Sequence, residues 1–200
     1  MASVVDICNM ALARIGHSFI STLSENTKPA QLCNLFYPLS RDAMLRDHTW
    51  NFAVSRSTLA ASVTAPNHEW DYKFALPSNC LKVIRTDLDD LGGEIVNAYP
   101  YSSVTPYVIE GRFLLSNEGE VSIEYIAQIT DPTQFDSLFV DCLSQRLAAE
   151  LAMPLADNAS LAQAMWQVYA SKIREARATD AQEGTPREAV DATGWLMARV

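Results

Sequence analysis

The sequence predicts an α+β fold: a four-helix bundle-like domain with a central, mostly antiparallel β-sheet insertion and an extended C-terminal arm. Three observations carry this class. Apolar residues recur at helical spacing before residue 48 and again after residue 130. Between those stretches, short alternating runs are bounded by Gly, Pro, Asn and Asp. The final stretch is polar and then closes on an apolar cluster. The expected divisions are 1–48 (N-terminal helices of the bundle), 49–130 (β-rich part), 131–178 (C-terminal helices) and 179–200 (the arm).

Ser3 is placed to cap a first helix reaching about Ile15. Val5, Cys8, Leu12 and Ile15 form its apolar stripe, and Gly16 follows as a stop. A polar link leads to Thr27, a candidate N-cap with Pro29 in the first turn. The second helix reaches about Asp47, with a kink expected at Pro38. Asp42 and Arg46 are spaced to pair on its outer face.

The period changes after His48. Trp50, Phe52 and Val54 alternate with polar neighbours, as do Trp70, Tyr72 and Phe74, so each set predicts a strand. A short strand is expected over 81–85, an acidic loop over 87–93, and two longer strands over 107–115 and 120–129. Asn117-Glu118-Gly119 reads as the hairpin turn joining the last two.

Asp131-Pro132 opens the third helix, with Asp as cap and Pro in the first turn. Its buried stripe is Phe135, Leu138, Phe139, Cys142 and Leu147, and Pro154 ends it. The fourth helix starts near Asp157 or Asn158, runs to about Ala178, and presents Leu161, Met165, Tyr169 and Ile173 on one face with Trp166 beside them. Residues 179–200 contain Asp180, Gln182, Glu183, Gly184 and Pro186, then Trp195-Leu196-Met197. Polar residues before an apolar cluster predict a flexible arm with an anchor.

Composition narrows the function. The chain has 200 residues, 48% hydrophobic and 9% aromatic, which suits a folded domain with a sizeable core. The formal net charge is −9. Proteins that grip DNA through phosphates usually carry basic surfaces, which this charge argues against; an acidic protein can still surround DNA provided it repels the duplex and lets it slide. Cys8, Cys33, Cys80 and Cys142 make no C-x-x-C pair and read as free buried thiols. Residues 1–6 lack the features of a signal peptide, and no window nears the roughly 20 apolar residues of a membrane span.

Catalytic patterns are absent from the sequence. His17, His48 and His68 fit no metal spacing and read as loop or helix-end residues. Gly92-Gly93 is a turn signal and belongs to no phosphate loop, and no G-x-S-x-G elbow occurs. Glu69 and Asp71 flank Trp70 as a glycosidase pair would, yet on a strand they share a solvent face. Asp87, Asp89 and Asp90 do not complete a calcium loop. The chain is therefore expected to be no enzyme, with no catalytic residue, no cofactor and no metal.

Several segments carry a resemblance. Residues 7–16, Ile7-Cys8-Asn9-Met10-Ala11-Leu12-Ala13-Arg14-Ile15-Gly16, come first. Phe36-Tyr37-Pro38, Arg41-Asp42 and Leu45-Arg46 follow, then His48-Thr49-Trp50-Asn51-Phe52-Ala53. Trp70-Asp71-Tyr72-Lys73-Phe74-Ala75-Leu76-Pro77 and Cys80-Leu81-Lys82-Val83-Ile84-Arg85 are next. Leu147-Ala148-Ala149-Glu150-Leu151-Ala152, followed by Pro154, closes the set. In this order, over about 4–178, the chain resembles the tail tubular protein A family, the head-to-tail connector adaptors of short-tailed bacteriophages (podoviruses).

The resemblance implies a structural virion protein, assembled in the bacterial host cytoplasm into a dodecameric ring. That ring would join the portal protein to the tail nozzle protein and let double-stranded DNA pass without specific binding. The C-terminal arm would grip the portal, with Trp195, Leu196 and Met197 as its anchor, mobile in the free subunit and ordered on the portal. Two other classes stand beside it: another phage stopper or head-completion protein, and a peptidoglycan hydrolase. The acidic balance gives one direct expectation. In fluorescence anisotropy the free chain binds duplex DNA weakly even at low salt, whereas tight binding with a steep salt slope would contradict it.

Overall fold

The computed structural model describes residues 2–87 and 107–183. The elements are α1 (Val4–Arg14), α2 (Lys28–Asp47), β1 (Val54–Leu59), β2 (Tyr72–Ala75), β3 (Cys80–Thr86), β4 (Tyr107–Glu110), β5 (Phe113–Ser116), β6 (Val121–Ala127), α3 (Ser137–Ala156) and α4 (Ala159–Gln182). The class is α+β, as expected. Among the described residues, however, the strands form two three-stranded antiparallel sheets, ordered β1-β6-β3 and β2-β5-β4, instead of one.

The ends of α1 follow directly from sequence. Ser3 Oγ accepts from the Asp6 N–H at 3.1 Å, and Asp6 Oδ2 accepts from the Ser3 N–H at 2.8 Å, closing a capping box. At the other end Gly16 adopts φ +71°, its N–H donating to the Ala13 carbonyl and the His17 N–H to the Leu12 carbonyl. That pair of bonds satisfies the last carbonyls, and glycine takes the left-handed position at no steric cost. In α2, Thr27 holds the N-cap position without a side-chain bond, and the helix continues through Pro38. Asp42 and Arg46 do not pair. Asp42 accepts from Arg41 and Gln128, while Arg46 donates to the Leu81 carbonyl.

The third helix differs from expectation at both ends. Asp131 caps only a short 3-10 turn, Pro132–Gln134, and Asp136 is the cap of α3, accepting from the Leu138 N–H at 2.8 Å. Pro154 lies inside α3, which ends at Ala156 with Asp157 in the left-handed region at φ +47°. The proline removes one internal bond close to the helix end, where the loss is smallest. The expected single stripe is also too narrow. Phe139, Leu143, Ser144, Gln145, Leu147, Ala148, Ala149, Leu151 and Ala152 are all buried, and α1, α2 and α4 each pack on α3. A helix with so wide a buried surface is a core helix, even though Arg146, Glu150 and Met153 stay partly exposed.

The strands required most correction. Trp50 and Phe52 are not strand residues, because Asn51–Ala53 is a 3-10 turn and β1 begins at Val54. Trp70 precedes β2; its N–H donates to the His68 carbonyl at 2.8 Å across Glu69, which sits at φ +66°. The expected strand over 107–115 is a hairpin, β4 and β5, with Glu110 opposite Phe113. Gly111 takes φ +59° at the first loop position, the place a two-residue Gly-X turn requires. Asn117-Glu118-Gly119 joins no hairpin. It carries the chain from β5 in one sheet to β6 in the other.

β6 pairs with both β1 and β3 and serves two cores. Its alternating residues Val121, Ile123, Tyr125 and Ala127 join Leu59, Phe74, Cys80 and Leu114 in a small core between the sheets. Ile126, on the opposite face, enters the helical core with Ala53, Trp50 and Phe139. All four cysteines are free and buried, as expected.

Because the middle of α3 packs against α1, α2 and α4, cavities there have little room to collapse. Leu147, fully buried, should therefore cost about 2–5 kcal/mol when replaced by Ala. Denaturant unfolding of Leu147→Ala at neutral pH checks this; a loss well below that range would mean that α3 is not the centre of the core.

Candidate functional site

Trp195, Leu196 and Met197 lie outside the described residues, as does everything from 184 onward. The structure does show how the chain approaches them. Asn158 caps α4, its Oδ1 accepting from the Leu161 N–H at 3.0 Å. Ala162, Tyr169, Ile173 and Ala176 are buried against the rest of the bundle. α4 then continues to Gln182, past the expected end at Ala178, and from 177 to 183 only Arg177 and Asp180 are partly buried, the rest being exposed.

This last stretch is held by polar contacts to the junction between α2 and β1. Arg177 Nη2 donates to Asp47 Oδ2. Asp180 Oδ2 lies 3.1 Å from His48 Nε2, and Asp180 Oδ1 accepts from the Asn51 N–H at 3.1 Å. Asn51 Nδ2 donates back to the Asp180 carbonyl at 2.7 Å. The Asp180 side chain is only 11% exposed. His48 is the C-cap of α2, a helix-end residue as expected. Sequence spacing gave no sign of its partner 132 positions away.

The junction itself is aromatic. Trp50 is 1% exposed, and its Nε1–H donates to the Met44 carbonyl at 2.9 Å. The Trp50 and Phe52 rings each meet Phe139 edge-on at 5.1 Å, and His48 meets Trp50 edge-on at 4.8 Å. Edge-to-face pairs of this kind add to the area they bury. The W-N-F-A segment is thus the place where helices, sheet and the end of α4 converge.

A second polar centre lies between α1, α3 and α4. Asp141 accepts from Arg14 at 2.5 Å and from Lys172, and Arg14 also donates to Gln145. Gln145, 3% exposed, donates onward to the Met165 carbonyl at 3.1 Å. Burial pushes the Asp141 carboxyl up, but the hydrogen bonds and charges of Lys172 and Arg14 outweigh it and hold the group below the usual carboxylate range.

Two open grooves lie among the described residues of the β-rich part. One, of about 360 Å³, lies over β1, β6 and β3 beside Ser57, Thr58 and Ser122; there Glu124 accepts from Arg85 at 2.8 Å. The other, of about 330 Å³, is lined by Trp70, Phe113, Glu69 and Glu110, with Lys73 Nζ 3.8 Å from the Phe113 ring centre. Glu69 and Asp71 are both exposed, and neither lies on a strand. Asp87 accepts from the Ser122 N–H at 3.0 Å, while Asp89, Asp90, Gly92 and Gly93 lie outside the described residues.

The three histidines fall in separate places. Among the described residues no group of His, Cys, Asp or Glu is arranged to hold a metal ion, and no helix is long and apolar enough to cross a membrane. Burial pushes the Cys142 thiol up to about 11, and the Cys80 thiol is raised by the same cause. The hydrogen bond with Cys33, together with burial, raises Cys8. Neither the protein-family models nor the curated protein sequences return a match to this chain.

The Asp141 cluster gives a pH prediction. A carboxyl whose pKa is depressed on folding contributes stability above its unfolded pKa, roughly 3.9. That contribution is lost as pH falls through the lower folded value. Asp141→Asn should therefore lower the thermal midpoint at pH 7, and the gap from the parent protein should narrow below about pH 4. A gap that stays constant down to pH 2.5 would show that the charge on Asp141 contributes nothing.

Proposed function

We propose that this chain is a structural subunit of a phage head-to-tail connector, an adaptor that forms a ring on the portal protein, leads to the tail nozzle and lets DNA pass. In this reading the chain acts by repetition and not by catalysis. One observation carries it. The segments that resemble tail tubular protein A fall on successive elements of one architecture. Residues 7–16 span α1 and its glycine stop, W-N-F-A lies at the root of the sheet, the Y-K-F-A and C-L-K-V-I-R segments are β2 and β3, and L-A-A-E-L-A lies on α3.

Two further features support the reading. The net charge of −9 suits a lumen that DNA traverses without being gripped. The end of α4, pinned beside Trp50, gives the segment carrying Trp195, Leu196 and Met197 a defined root. Trp is a frequent hot-spot residue at interfaces. Head-to-tail contacts between identical subunits close into a ring when the rotation permits.

The test uses two measurements. Native mass spectrometry of the chain with portal rings should show a closed ring of adaptor subunits on each portal. A stable dimer indifferent to portal would refute the reading. Deleting residues 193–200 should leave the thermal midpoint nearly unchanged yet weaken portal capture in a pull-down. Unimpaired capture would remove the anchor role from Trp195, Leu196 and Met197, and a large loss of stability would place them in the chain's own fold.

A further inference from the structure

We propose that residues 177–183 form a polar latch, closed by Asp180 on His48 and Asn51 and by Arg177 on Asp47, which opens without unfolding the bundle. Apolar burial on α4 ends at Ala176. Beyond it, α4 meets the rest of the described chain through hydrogen bonds and the Arg177–Asp47 ion pair, made with the short stretch from Asp47 to Asn51. Segments with few buried apolar contacts open at lower free energy than the core they border.

Local sequence works against the closed helix. The last turn of α4 contains no basic residue, and Asp180 places a negative charge at the negative end of the helix dipole. Thr179 Oγ1 bonds back to the Glu175 carbonyl at 3.1 Å, a contact that weakens helices. Thr and Asp are also poor interior helix formers. The helix reaches Gln182 nonetheless, so the contacts to His48 and Asn51 compensate. The Arg177–Asp47 pair is the weaker half: the Asp47 side chain is 53% exposed, and the buried Arg177 Nε has no acceptor among the described residues.

Opening changes reach. Seven residues span roughly 10 Å as helix and about 23 Å extended. A released 177–183 would therefore move the root of the C-terminal segment outward by several residues while α3 stays intact. Its use as added reach toward a portal rests on the proposed function; the latch itself does not.

The experiment is amide hydrogen exchange on the full chain alone, so its outcome is independent of any portal measurement. Asp180→Ala improves helix propensity and removes the unfavourable dipole charge. Without a latch it would slow exchange over 178–183. With the latch, exchange there rises about tenfold or more, while residues 143–152 of α3 change less than about twofold. Asn51→Ala, which leaves the α4 sequence untouched, gives the same local acceleration, and the double variant adds little to either one. Unchanged or slower exchange over 178–183 in both variants would overturn the proposal. So would acceleration that spreads equally through α3, since Asp180 would then be holding the whole fold.

Discussion

The burial of most of α3 among three other helices is the constraint from which the rest of the structure follows. A helix with so wide an apolar surface must pack against other elements to be stable in water. α1, α2 and α4 enclose it, although they come from opposite ends of the chain. The β-rich part is therefore an excursion between the second and third helices. Its first and last strands must both return to the bundle, and the aromatic junction at Trp50, Phe52 and Phe139 is where they do so.

Packing around α3 also explains the polar groups at the margin of the bundle. Arg14, Asp141, Gln145 and Lys172 come from three helices, and each finds a partner on another. Buried polar groups that satisfy one another are tolerated, and they resist sliding of one helix along the next. Hydrophobic contacts alone tolerate small shifts in register; a carboxylate held by two cations from different helices does not. The network thus fixes the register of the central helix, which supplies Asp141 and Gln145 to it.

Much of the helical architecture was legible in sequence because its signals are local. Ser3 and Gly16 each mark an end of α1 from beside it. The strands were harder. Gly111-Arg112 is a turn signal, but apolar residues on both sides masked it and the hairpin read as one strand. Asn117-Glu118-Gly119 read as a hairpin because sequence cannot say that β5 and β6 belong to different sheets. Trp50 and Phe52 alternate like strand residues while turning into the helical core through a 3-10 turn. The contacts of Asp180 could not be read at all, since nothing local links it to His48 or Asn51.

The double role of β6 has a mechanical consequence. The sheet containing β2, β5 and β4 shares its small core with alternate residues of β6, whereas Ile126 on the same strand is embedded among the helices. A displacement of the outer sheet is therefore delivered to the bundle through the thickness of the β1-β6-β3 sheet, each strand of which packs on both cores. β6 is braced on both edges, by β1 and by β3. A load directed along it shears two rows of hydrogen bonds at once, while a load directed across it peels them one after another. The outer sheet is thus a stiff lever in one direction and a compliant one in the other.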